Sequence, residues 1–315
     1  MSVLSFPHNI FEFQQQFATE AACLQYLYES RWSNGFVCPV CGDTEGYWIK
    51  TRAVVQCVEN KHQISVTDRT VMHRTKQPLR LWFWAAYFMT TKTTSISAVQ
   101  LQRQLGLKRY ETAFNMLHKL RAATFRPQRE KLVGMVEVDE TYIGGVTRGQ
   151  KRGRGTAKAI VVAAVERREG VAGRVRLRKV SDTSSRSLIG FIQDVIEPGS
   201  IVLTDGFPSY GRLSEYGYQH RILVQGTPEQ STVVLPLVHR VFSNLKAWVQ
   251  GTFHGAISKK HLQAYLNEFV FRFNRRKTPM AAFQTILGIG SHVRGPTYEG
   301  LYQGTWRHPN PKKKM

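Results

Sequence analysis

Long apolar runs, cysteine and acid are all scarce in this 315-residue sequence, and each scarcity excludes something. The longest uninterrupted apolar or aromatic run is the nine residues from Leu81 to Met89. A membrane-spanning helix needs about 20, so a membrane protein is not expected. The opening MSVLSFPHNIFEFQQQ has no basic segment followed by an apolar core, so no secretory signal is read there. Four cysteines, two of them in Cys38-Pro-Val-Cys41, are too few for a disulfide scaffold and fit a reducing compartment. The expected location is cytoplasmic and nucleoid-associated. Aspartate and glutamate total 22 against 44 lysines and arginines, a net charge of +22. That imbalance disfavours an enzyme of neutral or acidic small molecules and calls for a polyanionic partner, because each phosphate contact releases condensed counterions. At 42% hydrophobic residues the chain can still bury a sizeable core and is no disordered basic tail.

What is present changes texture along the chain. Phe11, Phe13 and Phe17, then Leu24, Leu27 and Tyr28, predict two short helices. From Trp32 to Thr75, strand-like pieces between turn residues predict a small β-rich module, closing a first domain at residues 1–75. Residues 76–126 are helical again, with Gly106 ending SISAVQLQRQLGL and RYETAFNMLHKLRAA following. This pair resembles a helix-turn-helix, and Arg103, Lys108, Arg109, Lys119 and Arg121 favour a DNA-binding role over an ordinary bundle. After the polar RPQREK come three strands, an amphipathic helix, a strand ending at Asp205 and two further helices. That order predicts an α/β domain with a mixed sheet over residues 131–290, and a basic tail over 291–315.

Cys38 and Cys41, followed after 15 residues by Cys57, have the spacing of a zinc ribbon that lacks one ligand. Tetrahedral Zn²⁺ takes four N or S donors. Asn60 stands where the second Cys-x-x-Cys would end, and His62 is the nearest replacement, giving a three-Cys, one-His site. Cys23, in an amphipathic helix, reads as core, and His73 is a further candidate. The alternative is a decayed ribbon standing on its apolar contacts, although so small a module favours a metal staple.

Against a +22 background, carboxylates on strands stand out. Alternation in Val136-Glu137-Val138-Asp139-Glu140 places Glu137 and Asp139 on one face and Glu140 on the other. Asp205 ends Ile201-Val202-Leu203-Thr204. Two such aspartates suit a Mg²⁺ site, or equally each could cap a turn. For a third ligand, helical phase sets Glu268 toward solvent. Asn244, at the edge of the stripe Val241, Leu245, Trp248 and Val249, is the candidate, its rival role being a helix cap. Lys246 lies about 200° around the helix from Asn244 and is expected to meet a phosphate.

Several long motifs then carry a family resemblance. FVCPVCG, SVTDRTVMHRTKQPLRLWFWAAYFMTT, VEVDETYIGG, VLTDGFPSY and HRVFSNLKAWVQGTF follow one another as in bacterial insertion-sequence transposases with an N-terminal zinc ribbon, related to Merlin elements. The resemblance implies an RNase H-like, DDE-type catalytic domain that cuts and rejoins DNA at terminal inverted repeats. Asp139 and Asp205 match the first two acids, and Asn244 stands where many relatives have glutamate. They would hold two Mg²⁺ or Mn²⁺ ions for in-line displacement. Arg148, Lys151, Arg152, Arg154 and Lys158, on a Gly-rich tract after Asp139, would track double-stranded DNA beside Arg275 and Arg276. Joining two ends requires a homodimer or larger assembly. The rival readings are a non-catalytic DNA-binding protein, a decayed transposase occupying element ends, or a structure-specific nuclease.

Overall fold

A computed structural model describes residues 7–126, 129–144, 158–223, 234–255 and 257–306. The chain forms two compact units, one of residues 7–126 and 275–306 and the other of 129–274 among those described. No described helix is long and apolar enough to cross a membrane.

The first unit begins with α1 (Ile10–Gln16) and α2 (Glu20–Arg31), capped by the Asn9 and Thr19 side chains. An antiparallel three-stranded sheet follows: β1 (Gly46–Ile49), β2 (Val54–Cys57) and β3 (Gln63–Ser65). Its small core is Phe36, Cys38, Val55, Cys57 and Ile64, with Tyr28, Trp32 and Trp48 packed around it. Three helices come next, α3 (Leu79–Thr91), α4 (Ala98–Gln104) and α5 (Tyr110–Ala123). Pro78 starts α3 without a side-chain cap, and Glu20 of α2 supplies one by accepting the Leu79 N–H at 2.6 Å and the Arg80 N–H at 3.2 Å. Ser97 and Gln100 close a capping box on α4. Between α4 and α5 the chain turns through Gly106 at φ 62°, a left-handed conformation that suits glycine.

The second unit is a five-stranded mixed sheet. Its strands are β4 (Met135–Ile143), β5 (Ala159–Arg168), β6 (Val171–Val180), β7 (Ile201–Thr204) and β8 (Gln219–Ile222), in the spatial order β6-β5-β4-β7-β8. Strand β5 is antiparallel to both of its neighbours, β4 and β6, while β7 and β8 run parallel to β4. This is the RNase H-like arrangement expected from the motifs. Helix α6 (Ser185–Val195) covers one face through Leu188 and Ile192 on Val136, Val138, Val162 and Val202. Helices α7 (Pro236–Phe253) and α8 (Leu262–Asn274) cover the other, where Val241, Leu245, Leu266 and Phe269 meet Val161, Ala163 and Leu177. Gln263 and Asn274, near the two ends of α8, bond backbone groups on β6, sealing that sheet edge. The chain then continues in the first unit with α9 (Pro279–Gly290) and α10 (Tyr298–Gln303), where Phe283 joins Phe13, Phe17 and Phe83.

Two sequence expectations change here. Glu268 does not face solvent: it is fully buried, as are Asn267, Ala264 and Phe271, so α8 is covered well beyond its apolar stripe. Strand β8 escaped the sequence reading because Gln-His-Arg-Ile has neither apolar alternation nor deep burial.

On β5, Glu166 is only 2% exposed and joins Arg174 at 2.7 Å and Arg168 at 2.8 Å. Burial alone would raise its carboxyl, but the arginine hydrogen bonds outweigh it and hold the pKa down to about 2. The resulting stability is complete above the unfolded value near 4.5 and fades as pH falls toward 2. Glu166→Gln is expected to cost roughly 1–3 kcal/mol at pH 7, discounted because both arginines reach solvent. Thermal melts should show this deficit shrinking below about pH 4.5.

Candidate active site and cysteine cluster

Alternation along β4 buries Val136 and Val138 under α6 and turns Glu137 and Asp139 toward α7. Strand β7 lies parallel beside it with Glu137 opposite Leu203, so two residues on, Asp139 is level with Asp205. The chain leaves β7 at once: Asp205 Oδ1 accepts the Phe207 N–H at 3.0 Å, and Gly206 turns at φ 82°. A side chain at Gly206 would also put its Cβ 2.8 Å from Ile222 Cγ2, so only glycine fits this turn.

The two acids differ in environment. Asp205 is exposed, whereas the Asp139 side chain is only 15% exposed. Burial pushes the Asp139 carboxyl up to about 6, with the Glu140 and Asp205 carboxylates adding to the shift. The Glu140 N–H, 2.7 Å from Asp139 Oδ1, and the His239 ring pull the other way. Glu140, assigned by alternation to the opposite face, accepts a 2.9 Å hydrogen bond from the fully buried Tyr210 hydroxyl. That burial, beside the Glu140 carboxylate, drives the Tyr210 phenol far above its ordinary range.

From α7, His239 rather than Asn244 comes to the first aspartate, with Nε2 3.2 Å from Asp139 Oδ2. Asn244 is exposed five residues further on, ~140° around the helix and ~7.5 Å along it. The helix starts directly on β4, so its first turn meets the strand. The apolar stripe located α7's buried face but carried no information about that starting point. Lys246 is exposed and seven residues beyond His239, within about 20° of the same face.

The basic candidates divide. Arg103, Lys108 and Arg109 are exposed around the α4–α5 turn, as is Arg276, while Arg275 and Lys158 are half-buried. Arg121 is 1% exposed and Lys119 donates to the His73 carbonyl at 3.1 Å, so neither offers a free cation to DNA. Arg148, Lys151, Arg152 and Arg154 lie outside the described residues.

In the first unit, the Sγ atoms of Cys38, Cys41 and Cys57 all lie within 4.8 Å of one another. Three thiols at this spacing suit Zn²⁺. At Cys38 burial opposes the thiolate, but the Val40 and Cys41 N–H groups and Asn60 outweigh it and lower the pKa. His62 is not part of the cluster: its side chain is exposed, and its backbone carbonyl accepts the Cys57 N–H at 2.9 Å. Asn60 is there instead, with Nδ2 3.6 Å from Cys38 Sγ and Oδ1 accepting the His62 N–H. Asp43 Oδ2 lies 3.5 Å from Cys57 Sγ. Cys23 is fully buried in α2, where burial pushes its thiol up to about 12.

A five-stranded mixed sheet in the order β6-β5-β4-β7-β8, with Asp139 midway along its central strand and Asp205 just past the end of the parallel neighbour, is an RNase H-like arrangement. Comparison with known proteins narrows this: residues 131–274 match the ISXO2-like transposase domain and residues 18–63 the transposase zinc-ribbon domain. Together these span more than half of the chain, which thus carries a transposase zinc ribbon followed by an ISXO2-like transposase domain. It is 27% identical over 293 residues to an uncharacterized protein in transposable element ISH50 of Halobacterium salinarum, covering 86% of this chain and 97% of that one. It also has low-scoring similarity to the Mos1 mariner paired-end complex with Mn (TM-score 0.27, 12% identity, 64% of this chain and 76% of that one). Similarity to the Mos1 strand transfer complex is comparable (TM-score 0.24, 14% identity, 66% and 78%).

Two outcomes are expected. Because folding raises the Asp139 pKa, its ionised form costs stability increasingly as pH rises from about 4 to about 6. Asp139→Asn should therefore melt above wild type at pH 7 without divalent metal, and the gap should shrink as pH falls below about 6 and close only below about 3.8. For the cysteine cluster, elemental analysis after chelator challenge should find zinc retained in His62→Ala and lost in Cys57→Ser.

Proposed function

We propose that the chain is a DNA transposase that cleaves the phosphodiester at the ends of its element and joins the freed ends to target DNA. The observation that carries this is Asp139 and Asp205 level on adjacent parallel strands, with His239 against Asp139. Asp139 and Asp205 would hold Mg²⁺ or Mn²⁺. The donor set fits, since the Asp139 carboxyl is raised by burial and by neighbouring carboxylates that a cation would neutralise. The bound ion supplies charge neutralisation at the phosphate and activation of the attacking oxygen. His239 takes the third position in place of Asn244, orienting the Asp139 carboxylate through its ring nitrogen. Lys246, on the same face of α7, meets the phosphate backbone.

In the first step, water adds to phosphorus while the 3′ oxygen leaves and takes up a proton, yielding a 3′-hydroxyl and a 5′-phosphate. In the second, that hydroxyl attacks a target phosphodiester and displaces its 3′ oxygen, so no covalent protein–DNA bond is needed. The zinc ribbon, with Cys38, Cys41 and Cys57 as ligands, and the α4–α5 turn with Arg103, Lys108 and Arg109 would engage the terminal inverted repeats. Two ends require at least two copies of the chain.

The test is cleavage and strand transfer on labelled duplexes bearing the element's own ends, with Mg²⁺ or Mn²⁺ and with chelator. Asp139→Asn and Asp205→Asn should bind DNA normally and cut ~10³-fold more slowly or worse, with His239→Ala down by ~10². Asn244→Ala should stay close to wild type. Cleavage that survives both aspartate substitutions would overturn the catalytic reading, and cutting without any joining would identify a nuclease instead.

A further inference from the structure

Helix α7 has no cap of its own. Its N-cap is Leu235, held in the left-handed region at φ 55°, and Pro236 follows, with no side-chain hydrogen bond to the first turn. The orphan N–H groups are taken from another element: Glu137 Oε2 accepts from Leu237 N at 2.8 Å and from Val238 N at 2.9 Å. Glu137 sits inside the central strand, opposite Val165 of β5 and Leu203 of β7, with no solvent exposure. Its second oxygen, Oε1, is buried and has no hydrogen-bond partner among the described residues. A carboxylate in such a place costs free energy, and a serine or aspartate at the start of α7 would cap the helix more cheaply.

A cap supplied from β4 does something a local cap cannot. Glu137 and Asp139 are two residues apart on the same face, and they meet consecutive parts of one helical turn, the Leu237 and Val238 amides and then the His239 ring. A helix held at a single point can still rotate or slide, and one residue of slippage moves a side chain by ~100° and ~1.5 Å. The first contact fixes the start of α7 on the strand, and only then does His239 fall on Asp139. We propose that Glu137 is a positioning residue of the transposase site, acting through α7 to set His239 against Asp139. This rests on the catalytic reading above.

Reach, rather than charge, should be what matters. Glu137→Gln keeps a carbonyl oxygen for both amides and should retain near-normal turnover of the DNA end substrate. Glu137→Asp keeps the charge but is one methylene short and, like Glu137→Ala, should lose ~10–100-fold in kcat with KM for DNA unchanged. In the full chain, hydrogen exchange at Leu237 and Val238 should quicken in the Asp and Ala variants and stay slow in Gln. Combining Glu137→Asp with His239→Ala should cost no more than His239→Ala alone, because both remove one arrangement.

The proposal is overturned if the two losses multiply, or if Asp is active and Gln inactive. It is equally overturned if exchange at the two amides ignores Glu137. The exchange measurement needs no DNA and no turnover, and Gln against Asp keeps the test decisive should the alanine variant not fold. Failure of the catalytic reading shows separately, as cleavage that persists in Asp139→Asn and Asp205→Asn.

Discussion

The pairing of β4 between an antiparallel and a parallel neighbour is the constraint on which the catalytic unit depends. As the central strand it must bury both faces, and alternation gives one to valines beneath α6 and the other to two carboxylates beneath α7. Parallel pairing with β7, Glu137 opposite Leu203, brings a second aspartate level with the first where β7 ends and β4 runs on. The local field, from Asp139, Glu140 and Asp205, is acidic in a chain of net charge +22.

Long-range capping is a recurring device in this chain. Pro78 and Leu235 begin α3 and α7 without a useful side chain, and glutamates from elsewhere, Glu20 and Glu137, take the free N–H groups. A local cap stabilises a helix wherever it lies, whereas a distant cap stabilises it in one place only. In α7 that place is the edge where Asp139 lies. The cysteine cluster belongs to the same logic: three thiols from the Cys38–Cys41 turn and the end of β2 come together where the apolar core of the small sheet is thin, so that a bound metal would tie it.

Much of the architecture was legible because hydrophobic periodicity encodes burial. The strands over Met135–Ile143, Ala159–Arg168 and Val171–Val180 and the helices α6, α7 and α8 all stand where the pattern puts them. Asp139 and Asp205 stood out because acids are scarce and each follows an apolar stretch of strand. The failures share a cause. Glu268 and Arg121 are polar by type yet buried, since burial also depends on what packs against the polar side of a helix. His62 lies two residues beyond Asn60 on a turn whose backbone, rather than its ring, faces Cys57. His239, which the apolar stripe did not single out, is brought to Asp139 by the register of α7 on β4.

By itself, the sequence determined the net charge that calls for a polyanionic partner, the order of the elements through its periodicity, and the donors available through its few acids and cysteines. Those properties are local, set by residue type and spacing along one stretch of chain. Only the tertiary structure decided which donors converge. Convergence depends on strand register, on where a helix begins against a sheet, and on which distant glutamate satisfies its first amides. None of these is a property of any single segment.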